Sequence, residues 1–140
     1  MLITTASACS KPDLCKQESF FCQSRDSWKD NAKELSDREV YHLNKLLINY
    51  YSPSDESLLN EVGSRGKTAI DLLINDINSS RMFKNYSYII TYVDAVRRNG
   101  NYDICNYNDE RRRLEEAIEK SAGVRTSLVN QFCQKGVNPK

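Results

Sequence analysis

Histidine is almost absent from this chain: among 140 residues only His42 carries an imidazole. That removes most imidazole-based catalysis and most zinc sites, which draw on several imidazole or thiolate ligands. Glycine and proline are scarce, at five and three, which excludes collagen-like and proline-rich classes. No apolar run approaches the roughly 20 residues of a membrane-spanning helix. Neither charge dominates, since 20 Lys and Arg face 19 Asp and Glu for a formal +1. Polyanion binders need a standing surplus of basic side chains, so nucleic acid is not an expected partner. The remainder is 39% apolar and 28% charged. That is a globular balance, at a length able to bury a core without a metal.

Cysteine, by contrast, is plentiful. Cys9, Cys15, Cys22, Cys105 and Cys133 make five in a short chain, and the odd count asks why one stands apart. Cys9 follows Thr5-Ala6-Ser7-Ala8. Small residues before a cysteine resemble the lipobox of bacterial lipoproteins, here with Ala6 in place of the commoner Leu. The resemblance implies cleavage before Cys9 and a diacylglyceryl group on its sulfur, or, in a related reading, plain signal cleavage after Ala8. Met1-Leu2-Ile3-Thr4 departs from the pattern, being too short for an apolar h-region and lacking a basic n-region. Residues 1–8 are therefore expected to be the remnant of a signal peptide, with a frayed N-terminus as the alternative.

Four cysteines then allow three pairings. The local scheme, Cys15 with Cys22 and Cys105 with Cys133, is the expected one. The crossed schemes would tie the N-terminal segment to the C-terminal half. Zinc is disfavoured because no Cys-x-x-Cys pair exists, so no metal site is expected. Four buried free thiols are the remaining alternative.

Periodicity predicts an all-α fold of about five to six short amphipathic helices. Residues 9–26 form a cysteine-bearing segment, 27–136 the helical domain and 137–140 a tail. Trp28, Ala32 and Leu35 share a helical spacing. Ser36-Asp37-Arg38-Glu39 reads as a capping box. Behind it Val40, Leu43, Leu47 and Tyr50 mark a helix from about Asp37 to Tyr51. Ser52-Pro53-Ser54-Asp55 opens another helix, using Leu58, Leu59 and Val62. Gly63 and Gly66 either break that helix or allow close packing. Ala69, Ile70, Leu73, Ile74 and Ile77 continue the period. From Asn85 to Arg98, Ile89, Val93 and Val96 point inward, with Tyr88 and Tyr92 on a flank. The Tyr102–Cys105 tetrad reads as extended but too short for a sheet. Asn108 is expected to cap a helix of Leu114, Ala117 and Ile118 that Gly123 ends. Asp109, Glu110 and Arg111 to Arg113 read as local charge pairing. Val124, Leu128 and Phe132 mark the last helix. The stretch from Leu58 to Leu73 resembles part of a HEAT-type helix pair, with no second copy.

Chemistry is sparse. A nucleophile needs an adjacent base, and His42 precedes Leu43, unlike the His-Asp pair of small disulfide-rich phospholipases. Gly63-x-x-Gly66-Lys67-Thr68 has its first glycine too close for a Walker A loop, and no strand precedes it. A lysozyme-like pair of carboxylates would draw on Glu61 or Asp71. Helical carboxylates at this spacing more simply form a solvated face. No catalytic, cofactor-binding or metal-binding residue is therefore expected.

Tyrosine is the other abundance, with eight. Tyrosines suit protein interfaces because they bury much area with few rotors, although about half should form the wet edge of a core. Arg97, Arg98, Tyr102, Asp103 and Tyr107, beside a bridge at Cys105, are the candidate partner surface. The expected function is binding of another protein by an exported envelope protein held to the membrane only through Cys9. In architecture, without a shared motif, the chain resembles type VI secretion immunity lipoproteins, which implies a toxin encoded nearby as partner. Lipoproteins that exclude entering or superinfecting elements, and a small secreted hydrolase acting on peptidoglycan or lipid, are the alternatives.

Overall fold

The computed structural model describes residues 14–50, 56–79, 86–123 and 126–137. All regular structure among them is helical: α1 (Leu14–Gln17), α2 (Arg25–Asn31), α3 (Asp37–Tyr50), α4 (Leu59–Ser64), α5 (Lys67–Ser79), α6 (Tyr86–Asn99), α7 (Asn108–Ala122) and α8 (Leu128–Val137). Three 3-10 turns, Ser19–Cys22, Ala32–Glu34 and Ile104–Asn106, join them. The all-α class is as expected, with eight described helices rather than five or six. Only α1, four residues within the cysteine-bearing segment, falls outside the stretches whose spacing announced a helix. No described helix is long and apolar enough to cross a membrane.

The chain divides into two units, Met1–Glu61 and Val62–Lys140. In the first, Cys15 and Cys22 are bonded, with Cα atoms 4.6 Å apart. This ties α1 to the first 3-10 turn. Phe21 meets Trp28 edge-on with centroids 5.0 Å apart, the geometry that ring quadrupoles favour. Trp28 donates Nε1–H to the Gln23 carbonyl. The expected helix at Trp28 is α2, which tightens into 3-10 geometry at Ala32 and stops at an extended Leu35. The capping box is present: Ser36 N–H donates to Glu39 Oε1 at 2.9 Å, and Glu39 N–H to Ser36 Oγ at 3.2 Å. It starts α3, which buries Val40, Leu43 and Leu47.

In the second unit α5 lies between α6 and α7, and α8 packs on both α7 and α6. Ile70, Leu73, Ile89, Val93, Leu114 and Ile118 are buried at the centre. The glycines do both things the sequence left open. Gly66, at φ 63°, turns the chain between α4 and α5. At Gly63 an added Cβ would sit 2.4 Å from the Ala95 carbonyl oxygen, and at Gly100 one would sit 2.4 Å from that of Gly63. The turn therefore lies directly on the end of α6.

Three local expectations are corrected. The Tyr102–Cys105 tetrad is not extended throughout, because Ile104 and Cys105 enter a 3-10 turn behind the Asp103 side chain. Tyr92 is not on a flank but 1% exposed; it stands three residues after Ile89 and four before Val96, inside the apolar stripe. Asn108 is not the cap of α7 but its first residue, preceded by an extended Tyr107. Gly123, left-handed at φ 79°, ends α7 as expected and donates its N–H to the Glu119 carbonyl.

Candidate functional site

Two tyrosines bracket the loop between α6 and α7. Its middle is fixed by three devices. Asp103 Oδ1 accepts the Cys105 N–H at 3.0 Å, forming an Asx turn. The Asn106 and Tyr107 amides donate to the Asp103 and Ile104 carbonyls. Cys105 is bonded to Cys133 of α8, with Cα atoms 5.5 Å apart, and Ile104 between these anchors is 2% exposed.

The fixed turn brings Tyr102 and Tyr107 together. Their rings stack with centroids 4.7 Å apart and planes 15° from parallel. Tyr107 is 48% exposed, and it is the only large hydrophobic side chain exposed among the described residues. Tyr102 lies beneath, its hydroxyl buried and without a hydrogen bond. Burial, then the Glu110 and Asp71 carboxylates, push that hydroxyl up to about 12, against a smaller opposite effect of Arg113. Lys67 Nζ lies 2.9 Å from Asp71 Oδ2 and 3.9 Å from Glu110 Oε2, and Arg113 Nη1 is 3.5 Å from Asp71 Oδ1. An aromatic platform thus adjoins a salt-linked network joining α5 to α7.

The five residues of the expected surface do not act as one group. Asp103 is spent on the turn. Arg97 lies over the Phe132 ring of α8, 4.3 Å from its centroid, and shares Asp94 with Arg98, whose Nε is 2.8 Å from Asp94 Oδ2. Only Tyr102 and Tyr107 form a platform. Of the other tyrosines, Tyr41 and Tyr92 belong to the core, while Tyr51 lies outside the described residues.

Sequence reasoning missed Glu115. It is 8% exposed and its Oε1 accepts the Val129 N–H at 2.9 Å, capping α8 from a neighbouring helix. A helical wheel, which sets position 115 about 60° from Ile118, is the signal that pointed to it. Among the nominated catalytic groups, His42 is exposed with Nε2 3.6 Å from Glu18 Oε2. Both Asp71 oxygens face cations. No group of three or more His, Cys, Asp or Glu among the described residues is placed to hold a metal ion. Cys9, the lipobox-like residues and the remnant before them lie outside the described residues.

Compared with known proteins, the chain matches no family model, no curated protein and no solved structure.

Proposed function

We propose that the chain binds another protein through the Tyr102–Tyr107 platform, as an immunity or inhibitor protein that neutralises a toxin delivered to the periplasm. The observation that carries this reading is Tyr107, an exposed aromatic stacked on a second ring and held on a disulfide-anchored turn. A rigid tyrosine loses little conformational freedom on binding, and aromatic anchors of this kind dominate interface energies.

Export supports the same reading. Two disulfides suit an oxidising compartment, and the lipobox-like Ala6-Ser7-Ala8-Cys9 supplies a route to the envelope with a lipid anchor on Cys9. The hydrolase reading draws less support. A general acid needs an apolar pocket, whereas Asp71 stands between Lys67 and Arg113.

The test is a calorimetric titration with the purified product of the neighbouring toxin gene. Wild-type protein should bind it, and Tyr107→Ala should weaken binding by about tenfold or more, equal to roughly 1.4 kcal/mol, with unchanged helicity. Undiminished binding by the variant, or no binding by the wild type, would overturn the proposal.

A further inference from the structure

The Cys15–Cys22 bridge closes a short loop, and that loop forms one wall of a groove of about 480 Å³. Glu18 and Phe20 line it from the loop side. Leu35, Glu39, His42 and Leu43 line it from α3 and the residue before its capping box. Ordinary ligand pockets occupy roughly 300–1,000 Å³, so the space is large enough to hold a ligand group. Leu43 is buried, while Phe20 and Leu35 are half-buried. The groove therefore keeps apolar surface within reach of solvent.

Its carboxylates lack strong cations. Glu18 Oε2 lies 3.6 Å from His42 Nε2, and the two side chains are 39% and 58% exposed. Glu39, also exposed, accepts the Ser36 N–H on Oε1 at 2.9 Å. Among the described residues neither carboxylate is paired with a lysine or arginine, and none lines the groove. Asp71, Asp94, Asp109 and Glu110 all have such a partner.

We propose that this groove receives a segment of a protein partner in which a large apolar side chain adjoins a lysine or arginine. The apolar side chain covers Phe20, Leu35 and Leu43, driven by removal of their surface from water. The cation meets Glu18 and Glu39 through charge-assisted hydrogen bonds. Both walls are set before binding. The bridge and the Glu18 N–H bond to the Leu14 carbonyl hold the loop, and the capping bond holds Glu39, so little ordering remains. An anionic membrane surface would meet the two carboxylates with like charge. The groove belongs to the first unit, shares no residue with the tyrosine platform and is tested independently of it.

The probe is the peptide acetyl-Leu-Lys-amide, titrated into the full chain while backbone amide resonances are followed by NMR. Acetyl-Leu-Glu-amide reverses the charge, and acetyl-Gly-Lys-amide removes the apolar side chain. The first peptide should give saturable shifts at Ser19, Phe20 and Leu43. The charge-reversed control should bind about threefold or more weakly, and the glycine control about tenfold or more weakly. Glu18→Gln/Glu39→Gln keeps an oxygen for the Ser36 amide and should lose the preference for the lysine peptide over the glutamate one. Equal binding of the three peptides, a charge preference that survives in the double variant, or no saturable shift in the wild type would overturn the proposal. The wild-type arms decide even if the variant fails to fold. Shifts at the same amides on raising protein concentration alone would mean that a second copy fills the groove. Binding that emerges only in Lys11→Gln would mean that the chain's own N-terminal segment, outside the described residues, fills it. Either result would also overturn the proposal.

Discussion

Tyr107 lies flat against Tyr102, and the two rings differ in what they face: Tyr107 is open to solvent, whereas the Tyr102 hydroxyl is buried. The lower ring is a floor, and the upper one, covered on one face, is the proposed contact surface. This pair separates binding from stability, which mutation can read.

Replacing Tyr107 with Ala removes one stacked contact, and the fold should lose about 0.5–1.5 kcal/mol. Tyr92→Ala empties a site that is 1% exposed and should lose about 3–5 kcal/mol. Urea denaturation of both variants checks the contrast. Similar losses would mean that Tyr107 is a core residue.

Gly63→Ala should destabilise by about 1–3 kcal/mol, because its methyl group would collide with the Ala95 carbonyl and the backbone must shift. Gly123→Ala meets nothing within 4 Å. Its cost should be nearer 1 kcal/mol, from the left-handed backbone alone. Thermal unfolding of the two variants should rank them in that order.

Alkali should unfold the protein partly through Tyr102. Its folded-state pKa of about 12 lies above the ordinary value of 10.0, mainly because burial opposes the phenolate. Below pH 10 both states hold the proton and the contribution is complete. Between 10 and 12 the unfolded state ionises first, binds fewer protons and is favoured, so stability falls. Urea midpoints measured across that window should drop less for Tyr102→Phe than for the wild type.

Much of the fold was legible because its signals are local. The Ser36–Glu39 box spans one turn, and the stripe from Ala69 to Ile77 needs only its own period. Gly123 needs only its own backbone. Tyr92 was misplaced because its polar hydroxyl suggested a wet edge, although its spacing from Ile89 and Val96 put the ring inside. Glu115 was legible in its burial, which the helical wheel marks, but not in its role. It caps an amide 14 residues away, and sequence order carries no mark of that closure. The candidate surface was half legible. The excess of tyrosine and the bridge at Cys105 located the loop, but the binding of Arg97 to Phe132 is tertiary, and so is the stacking of the two rings.

The two bridges should differ in their contribution. Cys105 and Cys133 are 28 residues apart and Cys15 and Cys22 are seven apart. Closing the longer loop restrains the unfolded chain more, about 3–4 kcal/mol against about 2 kcal/mol in the chain-entropy model. Paired Cys→Ser variants compared by urea denaturation test this order. The Cys105/Cys133 variant should also lose the rigid turn under Tyr107, and partner binding with it.

The state of the sulfurs in the living cell tests the account most directly, because both the anchored platform and the proposed export depend on it. Protein isolated from its native cells under immediate thiol alkylation can be weighed intact, before and after reduction. Cys15, Cys22, Cys105 and Cys133 should resist the reagent until reductant is added, and all four should then react. Alkylation of all four without reductant would contradict the account.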